Sequence, residues 1–438
     1  MKTRRILALL MAVLMLVGCL AACGGDKGGA TGEAGAYDSW SDELIAQLGA
    51  EIQKEANGKA ITLKVWGPEL AQDVLKAQTA AFAKMFADYA TITIDVKVQG
   101  ENDAAANIIN DPTTAADVFG FPSDQIIKLT NANVLAKCAF PEVVTEENTA
   151  ASVAAGSVDG TIYAYPETGD NSYILVYDKR LVTDEQAKSL EGIFEACAAA
   201  DKQFIMDSEN GFFTCMYLYT GGAITEGFEE DGETQKFNDY DIKEVTATVK
   251  AFADLFKANS DYFQSATTDA VADGFKNNTL AAGVAGSWNI ASIKEALGDN
   301  AGYTILPTIN VNGTDKQIIN MFGYKFLGVN SQSKYPATSQ VLARFLTNED
   351  CQMERAEKLE WAPSNAAAQQ SEFVQNNPSM AALMAQTEYS VPQTGIAGTF
   401  WDPLAALGKY MIEPNNDFSE AALQKEVEAC IQGIRDEY

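Results

Sequence analysis

The stretch "DGTIYAYPETGDNSYILVYDKRLV", residues 159–182, decides how the chain is read. It holds two β-type runs, "TIYAYP" and "SYILVYD", separated by the polar segment "ETGDN" at 167–171. A hairpin is the simplest interpretation, but the joint lacks the two-residue turn that hairpins favour. The alternative is that the runs belong to different sheets and "ETGDN" carries the chain between them. On that reading Pro166 marks where the first run stops and Gly169 lets the backbone bend. Asp170 and Asn171 are then candidates for a ligand as well as turn formers.

The surroundings favour the second reading. Upstream, "ITLKVW" (61–66) reads as a strand, 69–89 as an amphipathic helix and "TITIDVKV" (91–98) as the next strand. A short helix near 103–110 and the apolar run "ADVFGF" (116–121) continue the series. Downstream come a helix near 184–199, the strand "QFIMD" (203–207), a helix from about 210 and a longer one over 241–259. The strands "LAAGVAG" (280–286), "YTILP" (303–307) and "YKFLGVN" (324–330) follow, then roughly a hundred helical residues. This alternation specifies an α/β fold with mostly parallel strands. The closing helices are too many for a sheet of their own and must be shared between the earlier ones.

At 438 residues the chain exceeds the size at which one hydrophobic core stops growing, so two domains are expected. Its formal charge of -29 opposes binding to nucleic acid or anionic lipid. The N-terminus carries a basic "MKTRR", an apolar run of about 12 residues and "LAACGG", the layout of a signal peptide too short to span a bilayer. The end of this leader resembles a bacterial lipobox, which implies cleavage before Cys23 and its lipidation; Cys19 offers a second fit. A glycine-rich tether and a helix with Ser41 as N-cap complete residues 23–59. The other five cysteines lack CxxC spacing and read as small buried residues.

The chain contains no histidine, which removes Ser-His-Asp and Cys-His catalysis and the commonest zinc ligand. No P-loop or dinucleotide fingerprint is present, and no metal or cofactor is expected. Five aromatics stand at strand-to-helix corners or helix starts: Trp66, Phe121, Phe212, Trp288 and Trp401. The crevice at the carboxyl ends of strands is where open α/β sheets bind ligands. Aromatic faces beside Asp, Asn and Glu suit a sugar, whose C–H face stacks while its hydroxyls hydrogen-bond. A carboxylate-pair glycoside hydrolase stays open, as does binding of a polyamine or a short peptide.

From about Ile61 to the C-terminus, the ordered motifs "ITLKVWG", "ADVFGFPSDQ", "DGTIYAYPETGDNSYILVYDKRLV", "GFFTCMYLYTGGA", "FKNNTLAAGVAGSWNI" and "FWDPLAALGKY" resemble the extracellular solute-binding proteins of ABC importers. The branch is that of the maltose- and maltodextrin-binding proteins. The resemblance implies a two-lobed, periplasmic-binding-protein-like fold of type II, a ligand cleft and hinge crossovers near Glu167–Ser172 and Phe322–Leu327. Residues 60–168 and 327–371 would form one lobe, and 169–326 and 372–438 the other. It also implies a monomer, anchored outside the cell membrane, that delivers a carbohydrate to ABC permease subunits. By the same resemblance the stacking aromatics are Trp288 and Trp401, with Phe121 and Phe212 beside them. The polar positions are Glu69, Asp124, Asp170 or Asn171, and Glu209 or Asn210, with Tyr324 a candidate from its place at the second crossover. The maltose-specific members carry basic residues where this chain has Ala71, Gln125 and Ala405.

Overall fold

In the computed structural model, Tyr37 and residues 39–436 are described; the leader, Cys19 and Cys23 lie outside them. In chain order the strands of the two main sheets are β1 (Ile61–Gly67), β2 (Ile92–Val98), β3 (Val118–Pro122), β4 (Ala164–Asn171), β5 (Tyr173–Asp178), β6 (Gln203–Met206), β7 (Phe263–Ser265), β8 (Leu280–Gly286), β9 (Ala301–Thr304), β10 (Asn320–Val329) and β11 (Ser390–Pro392). The first sheet runs β11-β10-β3-β1-β2 with β4 also paired to β10, and the second runs β7-β6-β8-β5-β9. The fold is therefore α/β with two lobes.

The two runs of the opening stretch part company at one residue. β4 pairs with β10 in the first sheet, β5 pairs with β8 and β9 in the second, and Ser172 alone stands between them. Two details differ from expectation. Pro166 does not end the strand: it sits within β4 opposite Phe326, and its carbonyl accepts from Gln352 Nε2 at 3.2 Å. A proline is tolerated there because no further strand needs its missing N–H. Gly169 serves close approach rather than bending: its N–H donates to Ala362 O at 2.9 Å, and a Cβ would lie 3.2 Å from Pro363 O. "ETGDN" is thus strand, stabilised by a segment almost two hundred residues away.

The strands are less uniformly parallel than the alternation suggests. β1 is parallel to β2 and β3, whereas β10 is antiparallel to β3 and β4, and β5 is antiparallel to β8 and β9. The antiparallel strands are those at or beside the crossovers. β10 pairs with β11 over Asn320–Phe322, where Met321 and Val391 join the second lobe's core cluster, and meets β4 from Gly323 and β3 from Lys325 onwards.

The late helices are shared out. Pro336–Leu346 packs on Asp42–Ala56 and Gln72–Met85 beside the first sheet. Trp401–Ile412 and Glu420–Arg435 pack on Gly211–Thr220 and Ile242–Ala258 beside the second. The cores are correspondingly distinct, with Leu63, Val65, Phe82, Val118 and Phe345 in one cluster and Leu175, Phe204, Tyr217, Phe252 and Leu404 in another. Each such side chain contributes about 1.5–3 kcal/mol through burial. The leading helix is tied to the first lobe: Glu55 accepts the Ala337 and Thr338 N–H groups at 2.9 and 2.8 Å, capping the helix that starts at Pro336. Cys138, Cys197, Cys215, Cys351 and Cys430 are all buried and free.

Asn320 fastens the crossovers to one another. Its Nδ2 donates to Ser172 Oγ at 3.0 Å and Tyr173 O at 2.9 Å, and its Oδ1 accepts from Ser390 Oγ at 2.5 Å. The residue is fully buried, so truncation leaves several polar groups without partners. Asn320→Ala should lower unfolding stability by about 2–3 kcal/mol in urea titration; a change within 0.5 kcal/mol, roughly the scatter of surface substitutions, would contradict this role.

Candidate functional site

A cavity of about 410 Å³ lies where the strand ends of the two lobes face each other, within the range of small-molecule sites. Its second-lobe wall is aromatic. Phe212 opens the helix Gly211–Thr220, Trp288 lies in the 3-10 turn Ser287–Asn289 directly after β8, and Trp401 begins the helix Trp401–Ile412. Ring centroids are 6.2 Å apart for Phe212 and Trp288 and 6.5 Å for Phe212 and Trp401, so the three form one surface. Two glycines allow this closeness. A Cβ on Gly286 would sit 2.3 Å from a Trp288 ring carbon, and one on Gly211 would sit 2.4 Å from Trp401 O. The small residues of "LAAGVAGSW" let the indole fold back over the strand that precedes it.

The facing wall is polar. Asp124, in the turn Ser123–Gln125 that follows β3, accepts from Gln125 Nε2 with one carboxylate oxygen, while Oδ1 is sealed from solvent and has no protein partner. Burial pushes this carboxyl up to about 7, against the opposing hydrogen bond from Gln125. Gln393 Oε1 accepts from Asn171 Nδ2 at 2.7 Å and Ser123 Oγ at 3.2 Å, bringing three distant segments to one point.

Charge enters through the crossovers. Side chains alternate along β10, which turns Lys325 toward the cavity and Phe322 and Tyr324 away from it. Lys325 Nζ lies 2.8 Å from Glu101 Oε2, 4.9 Å from the Trp361 ring centroid and 5.4 Å from that of Trp288. Burial alone would lower the lysine's pKa, but the carboxylates of Glu101, Asp170 and Glu167 raise it, so the ammonium persists. Behind it, Glu167 stands 3.7 Å from Arg355 Nε and is pushed up by burial despite that partner. Asp170 accepts the Ala362 N–H at 2.7 Å and is pushed up by burial to about 6, the Lys325 charge opposing only part of the shift.

Of the residues expected from sequence, Trp288, Trp401, Phe212, Asp124, Asn171 and Asn210 line the cavity. The others do not. Phe121 is fully buried, 5.6 and 5.8 Å from Phe119 and Phe326, because β3 is a central strand whose alternate side chains meet the core. Trp66 packs on the same cluster and borders a crevice of only about 10 Å³. Glu69 is exposed, and its neighbours Pro68 and Leu70 reach the cavity instead. Asp170 is buried behind Asn171, and Glu209 is exposed beside Asn210. Tyr324 lines a separate cavity of about 420 Å³ with Phe322 and Pro392. Glu101, Lys325, Trp361 and Gln393 were not anticipated. A lysine inside the apolar run "YKFLGV" was the one local signal among them.

This is the architecture of a two-lobed binding protein. Residues 77–382 match the sequence profile of the bacterial extracellular solute-binding proteins, and the chain belongs to that family, which works outside the cytoplasm. No helix among the described residues is long and apolar enough to cross a membrane. No curated protein matches the chain by sequence. Solved structures do resemble it. One, in complex with acarbose, superposes with a TM-score of 0.76 at 27% identity, over 86% of this chain and 99% of the other. The maltodextrin-binding protein MalE1 from L. casei BL23, without ligand, gives 0.71 at 22% identity over 86% and 100%. The Thermus thermophilus maltotriose-binding protein bound with maltotriose gives 0.71 at 17% over 85% and 99%. The last two likenesses are of fold.

The acid behind the cavity gives a direct test of this electrostatic arrangement. Asp170 titrates at about 6 in the folded chain and about 4 when unfolded. Its ionisation therefore favours unfolding: the stability it contributes is complete below pH 4 and is lost as pH rises through 6. The stability of the wild type minus that of Asp170→Asn should fall by about 2–3 kcal/mol between pH 4 and pH 7 in urea titrations. A difference that does not change with pH would contradict the burial of an ionisable Asp170.

Proposed function

We propose that the protein is the substrate-binding component of an ABC importer, held at the cell surface by a lipid on Cys23, that captures an oligosaccharide of the maltodextrin kind and delivers it to membrane permease subunits. The observation that carries this is the continuous Phe212–Trp288–Trp401 surface set across a cavity from Asp124, Asn171 and Gln393. A pyranose presents an apolar C–H face and a rim of hydroxyls, and this cavity offers a π surface on one side and acceptors and donors on the other. The related structures with acarbose and maltotriose support the same ligand class.

The cavity's carboxylates favour a neutral ligand over a polyamine: Glu101 is already paired with the Lys325 ammonium, and burial raises Asp124 toward its neutral form. Binding without turnover fits a chain that lacks histidine and belongs to a solute-binding family. Two lobes joined by crossover strands supply a hinge, and closure over the sugar requires only a few kcal/mol of preference for the closed state.

Calorimetry against maltose, maltotriose and spermidine tests the reading. The account expects a maltodextrin to bind at about micromolar, near 8 kcal/mol, and spermidine not to bind. Trp288→Ala and Trp401→Ala should each weaken sugar binding by about 2 kcal/mol. Unchanged affinity in both variants, or steady appearance of new reducing ends, would overturn it.

A further inference from the structure

Three polar groups at one end of the cavity lack the partners that buried groups ordinarily have. Glu101 Oε1 is sealed from solvent and accepts no hydrogen bond, while its other oxygen holds Lys325. Trp361 Nε1 is likewise sealed and donates to nothing. Lys325 carries three N–H donors, is 7% exposed in its side chain, and has Glu101 Oε2 as its ion-pair partner; the carboxylates of Asp170 and Glu167 and the Trp288 and Trp361 ring faces lie around it. Buried polar atoms in native proteins are nearly always paired, so such a cluster marks where an outside group completes the bonding.

The chemistry of the cluster restricts that group. Glu101 Oε1 needs a donor, whereas Lys325 Nζ and Trp361 Nε1 need acceptors. A carboxylate or phosphate satisfies the two donors but meets Glu101 with repulsion. An amine satisfies Glu101 but is repelled by Lys325. A hydroxyl both donates and accepts, and two neighbouring hydroxyls serve both needs at once. The indole of Trp288, 5.4 Å from the same ammonium, offers the surface on which the ring bearing them lies.

We propose that Glu101, Lys325 and Trp361 form a hydroxyl-reading subsite, which selects a vicinal diol on the sugar unit stacked against Trp288. This rests on the carbohydrate-binding reading above and specifies how that site discriminates among sugars. The ion pair holds its members in place, and the unused oxygen and nitrogen atoms do the reading.

The test uses the mature protein, a ligand panel of maltotriose and its monodeoxy derivatives, and calorimetry. Trp361→Phe keeps an aromatic ring and removes only the N–H donor. The double variant Glu101→Gln/Lys325→Met removes both charges together, so neither is left buried and alone. Each should weaken maltotriose binding about tenfold or more. The wild type should lose a similar factor on removal of either of two adjacent hydroxyls, and that loss should disappear in the variants. Thermal melts that match the wild type confirm folding; if one variant fails to fold, the other decides. Undiminished binding by the folded variants, or deoxy penalties that persist in them, overturns the subsite while leaving the sugar-binding reading intact. If the wild type binds none of the panel, the sugar-binding reading fails and the subsite fails with it.

Discussion

The pairing of β4 with β10 is the constraint on which the rest of the molecule depends. A chain that builds two sheets and passes between them must carry polar backbone through the junction, where each N–H and C=O needs a partner. Here the two passing segments become that partner for each other, residue by residue from Ala164 opposite Gly328 to Asn171 opposite Gly323. The register slips twice along this pairing, between Gly323 and Lys325 and between Lys325 and Phe326. Such irregularities bend a strand and re-aim side chains, and they flank the residue that brings a cation into the cavity. The same two strands therefore hold the lobes together and carry ligand-facing groups.

That arrangement explains why the cavity end of the junction is charged. Glu101, Glu167 and Asp170 surround Lys325 and Arg355, all withdrawn from water. Desolvating five ionisable groups costs several kcal/mol for each ion unless they neutralise one another. Pairing answers only part of that cost, as the raised pKa values of Glu167 and Asp170 show. A network of this kind contributes little to net stability, but it fixes the position of every member. Position is what a binding site requires of its polar groups.

Much of the lobe structure was legible in the sequence because it is periodic. β8 and the helix Ile242–Ala258 fall within a residue or so of their expected limits, since each buries a regular face. "ETGDN" was harder: its conformation is settled by Ala362, Pro363 and Gln352, which no local pattern reveals. Corner placement found Trp288, Trp401 and Phe212 but also chose Phe121, because a strand's last aromatic faces either the cavity or the core according to pleat phase. Trp361 and Gln393 could not be seen at all: Trp361 lies in irregular chain, and Gln393 follows β11, whose pairing with the distant β10 carries it to the site. The choice between adjacent polar residues was also a matter of phase, and Asn171 and Asn210 reach the cavity where Asp170 and Glu209 do not.

The central claim is that two lobes, hinged at these crossovers, close on a sugar held between an aromatic and a polar wall. Small-angle X-ray scattering with and without saturating maltotriose measures this most directly. The account predicts that the sugar reduces the radius of gyration, and that scattering and calorimetric titrations share one midpoint. Calorimetric binding of maltotriose with an unchanged scattering curve would contradict it.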